Sequence, residues 1–276
     1  MMRIVGLLLV RNEERFVERV IRNVAGFCDE IYAVDHVSDD STWEILRSLS
    51  GDLPHLQVLR SPNSARAHRL VERFAGTETW VLGVDGDELY DPLGLAQLRG
   101  ALIDGAHGDV FRVKAHVLNC DHLDEGAGIA SGWLAPPSRP ITKLFNFACL
   151  ESWTDSPDPL QAGRVVFKPG FHWESRRDLA SETTWETDPL RCLHLCFVRR
   201  SSCDPETFLG RRNLDETREF DRSLLGKAKR VIRRSRPAPH IVALAQQGRN
   251  WKREWYARGD RVRVDARPFL SQGQHP

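Results

Sequence analysis

Hydrophobic and polar positions in the first hundred residues alternate in blocks that predict strands separated by helices. Residues 3–10 end in an unbroken apolar run, which is typical of a strand buried on both faces. Apolar residues then recur at helical spacing after Asn12, which can cap a helix, and the pattern stops near Gly26. The same reasoning predicts strands at 30–34, 56–59 and 79–84, and helices at 41–51, 64–74 and from 92 onward.

This repetition of strand, helix and strand predicts a mainly parallel sheet with helices on both faces. Ligands of such sheets bind beyond the carboxyl ends of the strands. The segments 10–14, 35–42 and 85–88 each follow a predicted strand. We therefore expect these three segments to converge at one end of the sheet.

The second half of the chain has a less regular pattern. It predicts a strand at 109–118, a long Gly-, Pro- and Asp-rich loop at 119–140, and strands at 142–147, 164–167 and 191–198. After residue 204 the pattern becomes helical and basic, with candidate helices at 205–220, 223–234 and 240–256.

Composition places the chain among globular proteins, with 41% hydrophobic and 28% charged residues in 276 positions. No apolar run reaches the ~18 residues of a membrane span, and the first residues do not resemble a secretory signal. The six cysteines are widely spaced, which favours reduced thiols over a disulfide framework. We therefore expect a soluble, cytoplasmic protein.

Basic and acidic residues are distributed unevenly along the chain. Residues 211–276 carry 17 lysines and arginines against 7 acidic residues, whereas residues 1–210 carry 22 against 31. The basic run 227–236 can be the solvated face of a helix, or it can contact an anionic membrane surface or a nucleic acid. Its apolar positions suit docking on the main domain equally well.

The clearest chemical motif is Asp85-Gly86-Asp87, an Asp-x-Asp motif that directly follows a predicted apolar strand. Two carboxylates on a glycine turn suit a hard divalent cation such as Mg²⁺ or Mn²⁺, which can in turn bind phosphates. A solvated acidic turn explains the same tripeptide, because Asp-x-Asp is common by chance.

Two further polar segments follow predicted strands. Asp35 begins a stretch of acids and hydroxyls, which suits either helix capping or the recognition of a nucleoside. Asn12 and Glu14 follow the first strand without a Gly-x-Gly-x-x-Gly sequence, so a Rossmann dinucleotide site lacks its phosphate turn.

The motifs together, in this order and spacing, resemble glycosyltransferase family 2, which has the GT-A fold. They are Asn-Glu-Glu after the first strand, Val-Asp-x-x-Ser-x-Asp-x-Thr from residue 34, Asn63 with Ala65-Arg66, and Asp85-Gly-Asp87-Glu88. The resemblance covers residues 3–100. It implies a Rossmann-like catalytic domain, which we place at 1–203, with a donor half at 1–100 and an acceptor half at 101–203. The basic, helical pattern that follows predicts an extension at 204–276.

The resemblance also implies an activity: metal-dependent, inverting transfer of a sugar, hexosyltransferase-like, from a nucleotide-diphosphate sugar to a hydroxyl acceptor. Asp85 and Asp87 match the motif for metal and diphosphate, and Asp35 matches the acid that contacts the nucleoside. Asn12 and Glu14, from the Asn-Glu-Glu segment, are expected at the donor site as well. Arg66 matches the arginine of the family's Ala-Arg-Asn, although Ala67 replaces the Asn. A UDP-sugar is the favoured donor, with Mn²⁺ or Mg²⁺ as cofactor.

The acceptor hydroxyl needs a general base, for which a carboxylate is the usual choice. Asp155, just after Trp153, is the first candidate, followed by Glu151 and Asp158. Each of these residues can also be an ordinary acid in a solvated loop. We expect the acceptor to be anionic or linked to a carrier.

His194 lies between Cys192 and Cys196 in a predicted strand. Related glycosyltransferases place a late histidine on the metal or the diphosphate, and the surrounding sequence resembles that region. A zinc site with the two cysteines and a buried core histidine are the alternatives.

Two other functions compete with glycosyl transfer. A sugar nucleotidyltransferase needs a Gly-rich nucleotide loop near the N-terminus, and residues 6–15 lack one. An adaptor for nucleic acid or anionic membranes, with an inactive front domain, is supported by the charge of the basic run alone.

Overall fold

The computed structural model describes residues 2–138, 142–204 and 251–271. They form an α/β structure in which helices flank a central, mainly parallel sheet, as predicted. The helices are α1 (Val17–Ala25), α2 (Thr42–Asp52), α3 (Ala65–Arg69), α4 (Pro92–Ile103), α5 (Trp251–Tyr256) and α6 (Arg267–Leu270). Short 3₁₀ turns lie at Glu72–Phe74, Phe147–Cys149 and Leu179–Ser181.

The strands of the first half are β1 (Arg3–Val10), β2 (Glu30–Asp35), β3 (Leu56–Arg60), β4 (Thr79–Val84), β5 (Glu88–Tyr90) and β6 (Arg112–Lys114). Those that follow are β7 (Val117–Asp124), β8 (Ile129–Ala135), β9 (Thr142–Asn146), β10 (Leu150–Thr154), β11 (Arg164–Phe167), β12 (Arg176–Asp178), β13 (Cys192–His194) and β14 (Arg261–Asp265).

The central sheet has seven strands in the order β12-β6-β9-β4-β1-β2-β3. The pairs β4–β1, β1–β2 and β2–β3 are parallel, as predicted from the first hundred residues. Successive residues of β1 enter two separate hydrophobic cores, with Ile4 and Leu8 on one face and Val5 and Leu7 on the other. The unbroken apolar run therefore reflects burial on both faces.

The predicted helix cap at Asn12 is wrong, because α1 begins at Val17 after Phe16. Asn12 has a positive φ of 55°, a left-handed conformation that asparagine tolerates better than most residues. Its side-chain oxygen accepts a hydrogen bond from the amide of Asp39 instead of capping a helix. The chain consequently crosses the carboxyl end of the sheet before α1 begins.

The predicted loop at 119–140 is also wrong, because β7 and β8 form an antiparallel hairpin there. The register shifts between Cys120 and His122, so the alternation of faces is broken within β7. This irregularity, together with the glycines, hides the strands in the sequence pattern. The hairpin belongs to a second sheet of five strands in the order β14-β8-β7-β13-β5.

Three other boundaries differ from the predictions. The expected helix at 64–74 is the short α3 followed by a 3₁₀ turn, and the expected strand at 109–118 is divided between β6 and β7. The expected strand at 191–198 is reduced to Cys192–His194. The remaining strands, β10 and β11, form a separate two-stranded sheet.

The end of the described chain returns to the main body. β14, which the sequence pattern did not predict, pairs antiparallel with β8, and Phe269 of α6 is buried in the core. The predicted helices at 205–220 and 223–234, the basic run 227–236 and most of 240–256 lie outside the described residues, and the domain boundary at 203 stays a prediction. Within the described ranges, no helix is long and apolar enough to cross a membrane.

Candidate active site

The three segments that follow β1, β2 and β4 converge, as expected. The amide of Asn12 donates a hydrogen bond to Oγ of Ser38 (2.9 Å), and the amide of Glu13 donates to Oγ1 of Thr42 (2.8 Å). A Cβ placed on Gly86 would lie only 2.7 Å from Cγ of Glu13. The glycine of the Asp-x-Asp motif therefore lets this turn pass directly over the first segment.

At this end of the sheet, Asp85, Glu88 and His194 bring one potential ligand atom each within 4.8 Å of one another. Strand pairing explains their proximity. Glu88 of β5 is the cross-strand partner of His194 of β13, which in turn pairs with Asn119 of β7. The second sheet thus places residues from distant parts of the sequence in one row beside the Asp-x-Asp turn.

The side chain of His194 is held in one orientation. Its Nδ1 lies 3.0 Å from Oδ1 of Asn119 and donates a hydrogen bond to it, so Nε2 carries the lone pair. Nε2 lies 3.8 Å from Oδ2 of Asp87. Burial lowers the pKa of His194 to about 4, although the charge of Asp87 opposes this shift. The ring is therefore neutral near pH 7, which is the form that binds metals.

Lys143 of β9 lies beside the same carboxylates. Its Nζ is 2.9 Å from Oδ2 of Asp85 and 2.9 Å from Oε1 of Glu88. Burial raises the pKa of Glu88, and the charge of Lys143 opposes this shift and favours the ionised carboxylate. For Lys143, burial alone would lower the pKa, but the charges of Asp85 and Glu88 outweigh it and raise the pKa overall.

A second buried cation, Arg200, lies on the other side of the turn. Its guanidinium binds Asp87 at 2.5 Å and Glu13 at 3.2 Å, and all three side chains are almost fully buried. The segment after Arg200 continues across the site, where the amide of Ser202 donates to Glu14. Hydrogen bonds from Ser202 lower the pKa of Glu14. Asn12 and Glu14, expected at the donor site, thus belong to this hydrogen-bonded end of the sheet.

Asp35, the predicted nucleoside-binding acid, lies at the end of β2 and is fully buried. It accepts hydrogen bonds from Ser38, and Nε of Arg60 lies 3.0 Å from its Oδ2. Burial raises the pKa of Asp35, while Ser38 and Arg60 oppose the shift. Arg66, also predicted at the donor site, is exposed on α3, which follows the end of β3.

The three predicted base candidates lie along β10 and the loop after it. The loop containing Asp155 and Asp158 docks on α3, where Oγ of Ser64 donates to the carbonyl of Pro157 (2.8 Å). The Asp155 side chain is 71% exposed and 3.7 Å from Arg164. Glu151 is also exposed.

The start of β10 and the loop that follows it lie at opposite ends of β4. A Cβ on Gly76, which precedes β4, would approach the carbonyl of Leu150 at 3.4 Å. A Cβ on Gly83, near the end of β4, would approach Leu160 at 3.0 Å. Glu151 therefore lies towards the amino end of the sheet, away from the carboxylate cluster, and the loop of Asp155 and Asp158 lies towards the carboxyl end.

The donor set fits a hard divalent cation. Asp85 and Glu88 offer carboxylate oxygens, and His194 offers a neutral nitrogen whose partner Asn119 fixes the ring. Asp87, a predicted ligand, is adjacent but paired with Arg200. Among the described residues this is the one group of three or more potential ligands, and it contains no cysteine, which disfavours the zinc alternative at Cys192 and Cys196.

Sequence reasoning missed Glu88, Lys143, Asn119 and Arg200 as site residues. Glu88 could have been found, because it directly follows the Asp-x-Asp motif. Lys143 and Arg200 carry no comparable signal, since each reaches its partners from more than 50 residues away in the sequence.

Comparison with known families and structures places the site in context. Residues 7–145, half of the chain, match the family profile described as glycosyl transferase family 2. A comparison with curated proteins found no match.

Several solved structures are similar to part of the chain. S. aureus TarS 1-349 in complex with UDP is 20% identical over 55% of this chain and 50% of that one, with a TM-score of 0.38. Mannosyltransferase PcManGT from Pyrobaculum calidifontis, in complex with GDP-Man and Mn²⁺, is 23% identical over 41% of this chain and 35% of that one, with a TM-score of 0.33. The aligned part of this chain thus spans half or less of each of these proteins.

Proposed function

We propose, since the chain belongs to glycosyl transferase family 2, that it is a metal-dependent, inverting glycosyltransferase. Its donor is a nucleotide-diphosphate sugar, with a UDP-sugar favoured, and its acceptor is a hydroxyl group on an anionic or carrier-linked molecule. The observation that carries this proposal is the convergence of Asp85, Glu88 and His194 at the carboxyl end of the sheet. Parallel α/β sheets bind their ligands at this end.

Asp85, Glu88 and His194 would hold Mn²⁺ or Mg²⁺ there. The bound cation supplies Lewis-acid stabilisation of the charge that develops on the diphosphate leaving group. The chain itself keeps His194 neutral and oriented through Asn119, and it fixes the Asp-x-Asp turn through Arg200 and Glu13. These contacts set the ligand positions before the donor arrives, which reduces the cost of reorganisation during the reaction.

Inversion requires attack from the face of the sugar opposite the diphosphate. As the acceptor oxygen bonds to the anomeric carbon and the bond to the diphosphate breaks, a carboxylate takes the proton of the acceptor hydroxyl. We assign this role first to Asp155, with Asp158 as the second candidate in the same loop. Glu151 is the weakest candidate because it lies towards the amino end of the sheet.

A thermal-shift panel of UDP, GDP, dTDP, CDP and ADP, each with and without Mn²⁺, tests the proposal. A ligand that binds the native state raises the melting temperature by mass action. We expect one nucleotide, UDP first, to stabilise the protein only when Mn²⁺ is present. Asp85→Asn should abolish this shift, whereas Asp104→Asn, an exposed acid at the end of α4, should keep it.

If no nucleotide stabilises the protein under either condition, the donor-site assignment is wrong. Stabilisation that is equal with and without Mn²⁺ would retain the nucleotide site and remove the metal from the proposal. The membrane or nucleic-acid contact of the basic run 227–236 stays a prediction, since those residues lie outside the described ranges, and so does the cytoplasmic location.

A further inference from the structure

The candidate metal site already contains a positive charge of the chain's own. Nζ of Lys143 lies 2.9 Å from both Asp85 and Glu88, the two carboxylates of the ligand cluster. The Lys143 side chain is 9% exposed, and Glu88 is fully buried. The ammonium is therefore held between the two carboxylates and is largely shielded from solvent.

Moving the Lys143 ammonium away from these two carboxylates would cost free energy. A buried carboxylate that loses the cation paired with it is strongly disfavoured, and a buried ammonium needs its partners equally. Two further hydrogen bonds hold the Glu88 carboxylate, because the amide of Asp85 and the hydroxyl of Tyr90 both donate to its Oε2. Lys143 enters from β9, whose pairing with β4 fixes its position beside the Asp-x-Asp turn.

A divalent cation bound by Asp85, Glu88 and His194 would lie within a few ångströms of the ammonium. Like charges at such a distance repel strongly where solvent is excluded. The two cations also compete for the same carboxylate oxygens. A nucleoside diphosphate adds negative charge at the same place and offsets the repulsion.

We propose that Lys143 is a resident counter-cation that makes metal binding depend on the diphosphate. In the free protein, Lys143 neutralises Asp85 and Glu88, and divalent metal binds weakly. When the nucleoside diphosphate binds, its phosphates accommodate both cations, so metal and nucleotide enter together. This inference rests on the proposed function, and it adds a regulation of metal entry to the site.

If metal and diphosphate depend on each other for binding, the dependence can be measured in their affinities. If the diphosphate raises the affinity for metal by some factor, the metal must raise the affinity for the diphosphate by the same factor. Replacing Lys143 by a neutral side chain of similar length should reduce that factor, because the free site then binds metal without competition.

The experiment measures Mn²⁺ binding by electron paramagnetic resonance, with and without UDP, in the wild type and in Lys143→Met. We expect the wild type to bind Mn²⁺ weakly alone and roughly tenfold or more tightly with UDP, within the usual range of coupling between sites. Lys143→Met should bind Mn²⁺ alone at least about tenfold more tightly than the wild type, with a smaller effect of UDP.

Two control variants and a measurement of melting temperature separate this effect from a general loss of stability. Lys143→Arg retains the charge and should keep the weak binding of the wild type. Lys168→Met removes a lysine that binds the carbonyl of Gly76, before β4, and should also match the wild type. If Lys143→Met is destabilised, Mn²⁺ alone should restore its melting temperature, because the metal then replaces the missing cation.

Tight binding of Mn²⁺ by the wild type without nucleotide, unchanged in Lys143→Met, would overturn the inference and leave the proposed function intact. Failure of Mn²⁺ to restore a destabilised Lys143→Met variant would also overturn it. If the wild type shows no Mn²⁺-dependent nucleotide binding in the thermal-shift panel, the proposed function fails and the inference fails with it.

Discussion

His68 connects α3 to β10 and to the loop of the base candidates. This fully buried residue of α3 accepts a hydrogen bond from the amide of Leu160 at Nδ1, and its Nε2 donates to the carbonyl of Trp153. The bond from Leu160 requires the neutral ring, since a protonated Nδ1 cannot accept. Burial also lowers the pKa of His68.

The stability of the protein should therefore fall at acidic pH because of His68. Below its ordinary pKa of 6.5 the unfolded chain takes up a proton at His68 that the native protein does not, so stability is full above pH 6.5 and falls as the pH drops below it. The loss can reach at most about 1.4 kcal/mol per pH unit. We expect His68→Gln to lose less stability than the wild type between pH 7.5 and 5.5 in urea unfolding.

Comparison of the slopes, rather than of the absolute stabilities, isolates this effect. His68→Gln loses the bond to Leu160 at every pH, so a constant offset from the wild type is expected as well. Equal slopes in the two proteins would show that His68 is not the titrating group.

Residues of the candidate site could be predicted from the sequence where a local pattern marked them, and not where long-range strand pairing places them. Asp85 and Asp87 could be predicted because they directly follow an apolar strand, and His194 because it lies in an unusual Cys-x-His-x-Cys segment. Lys143 and Arg200 could not, because a single basic residue has no periodicity and its partner depends on how distant strands pair. The pairing of β9 with β4 decides the position of Lys143.

At the scale of elements, the second sheet assembles the site. Glu88, His194 and Asn119 occupy adjacent positions on β5, β13 and β7, although they come from three distant parts of the chain. The parallel strands of the first half were predictable from their apolar runs. The hairpin of β7 and β8 was not, because its irregular register disrupts the alternation on which such predictions depend.

This row predicts a role for Asn119 in metal affinity. Asn119→Ala should weaken Mn²⁺-dependent nucleotide binding by about 10–100-fold, because residues that orient metal-binding histidines have effects of that size. Ser138→Ala is a matched control, since it removes a hydroxyl that accepts a hydrogen bond from the Asn119 amide at 2.9 Å and leaves the bond between Asn119 and His194. The measurement is nucleotide titration at fixed Mn²⁺.

An Asn119→Ala variant that folds normally, as judged by circular dichroism, and binds nucleotide like the wild type would contradict this role. Equal losses in Asn119→Ala and Ser138→Ala would assign the effect to packing of the loop around Ser138 instead of the orientation of His194.

At the scale of the whole molecule, the described end of the chain is part of the body. The Phe269 ring is 1% exposed and stacks on Trp185 with 5.6 Å between ring centroids. Tyr256 of α5 lies against the ring of His194, at 5.7 Å. The C-terminal segment therefore contributes both to the core and to the surroundings of the candidate site.

Truncating the buried Phe269 side chain should destabilise the protein. We expect Phe269→Ala to lower the free energy of unfolding by about 3–5 kcal/mol, the usual cost of truncating a buried phenylalanine. Arg267→Ala, two residues away and 77% exposed, should cost less than about 1 kcal/mol despite its ion pair with Asp265. Urea unfolding of both variants checks the prediction, and equal effects would contradict the packing of α6.

The pairing of β14 with β8 also bears on how the protein avoids self-association. β14 covers the hydrogen-bonding groups of β8, and it places Arg261, Arg263 and Asp265 at alternate positions on the outermost strand of the described sheet. Charged outermost strands discourage the addition of strands from other molecules. A chain shortened before residue 261 would leave β8 as an uncovered edge with few charges, open to strand exchange and aggregation.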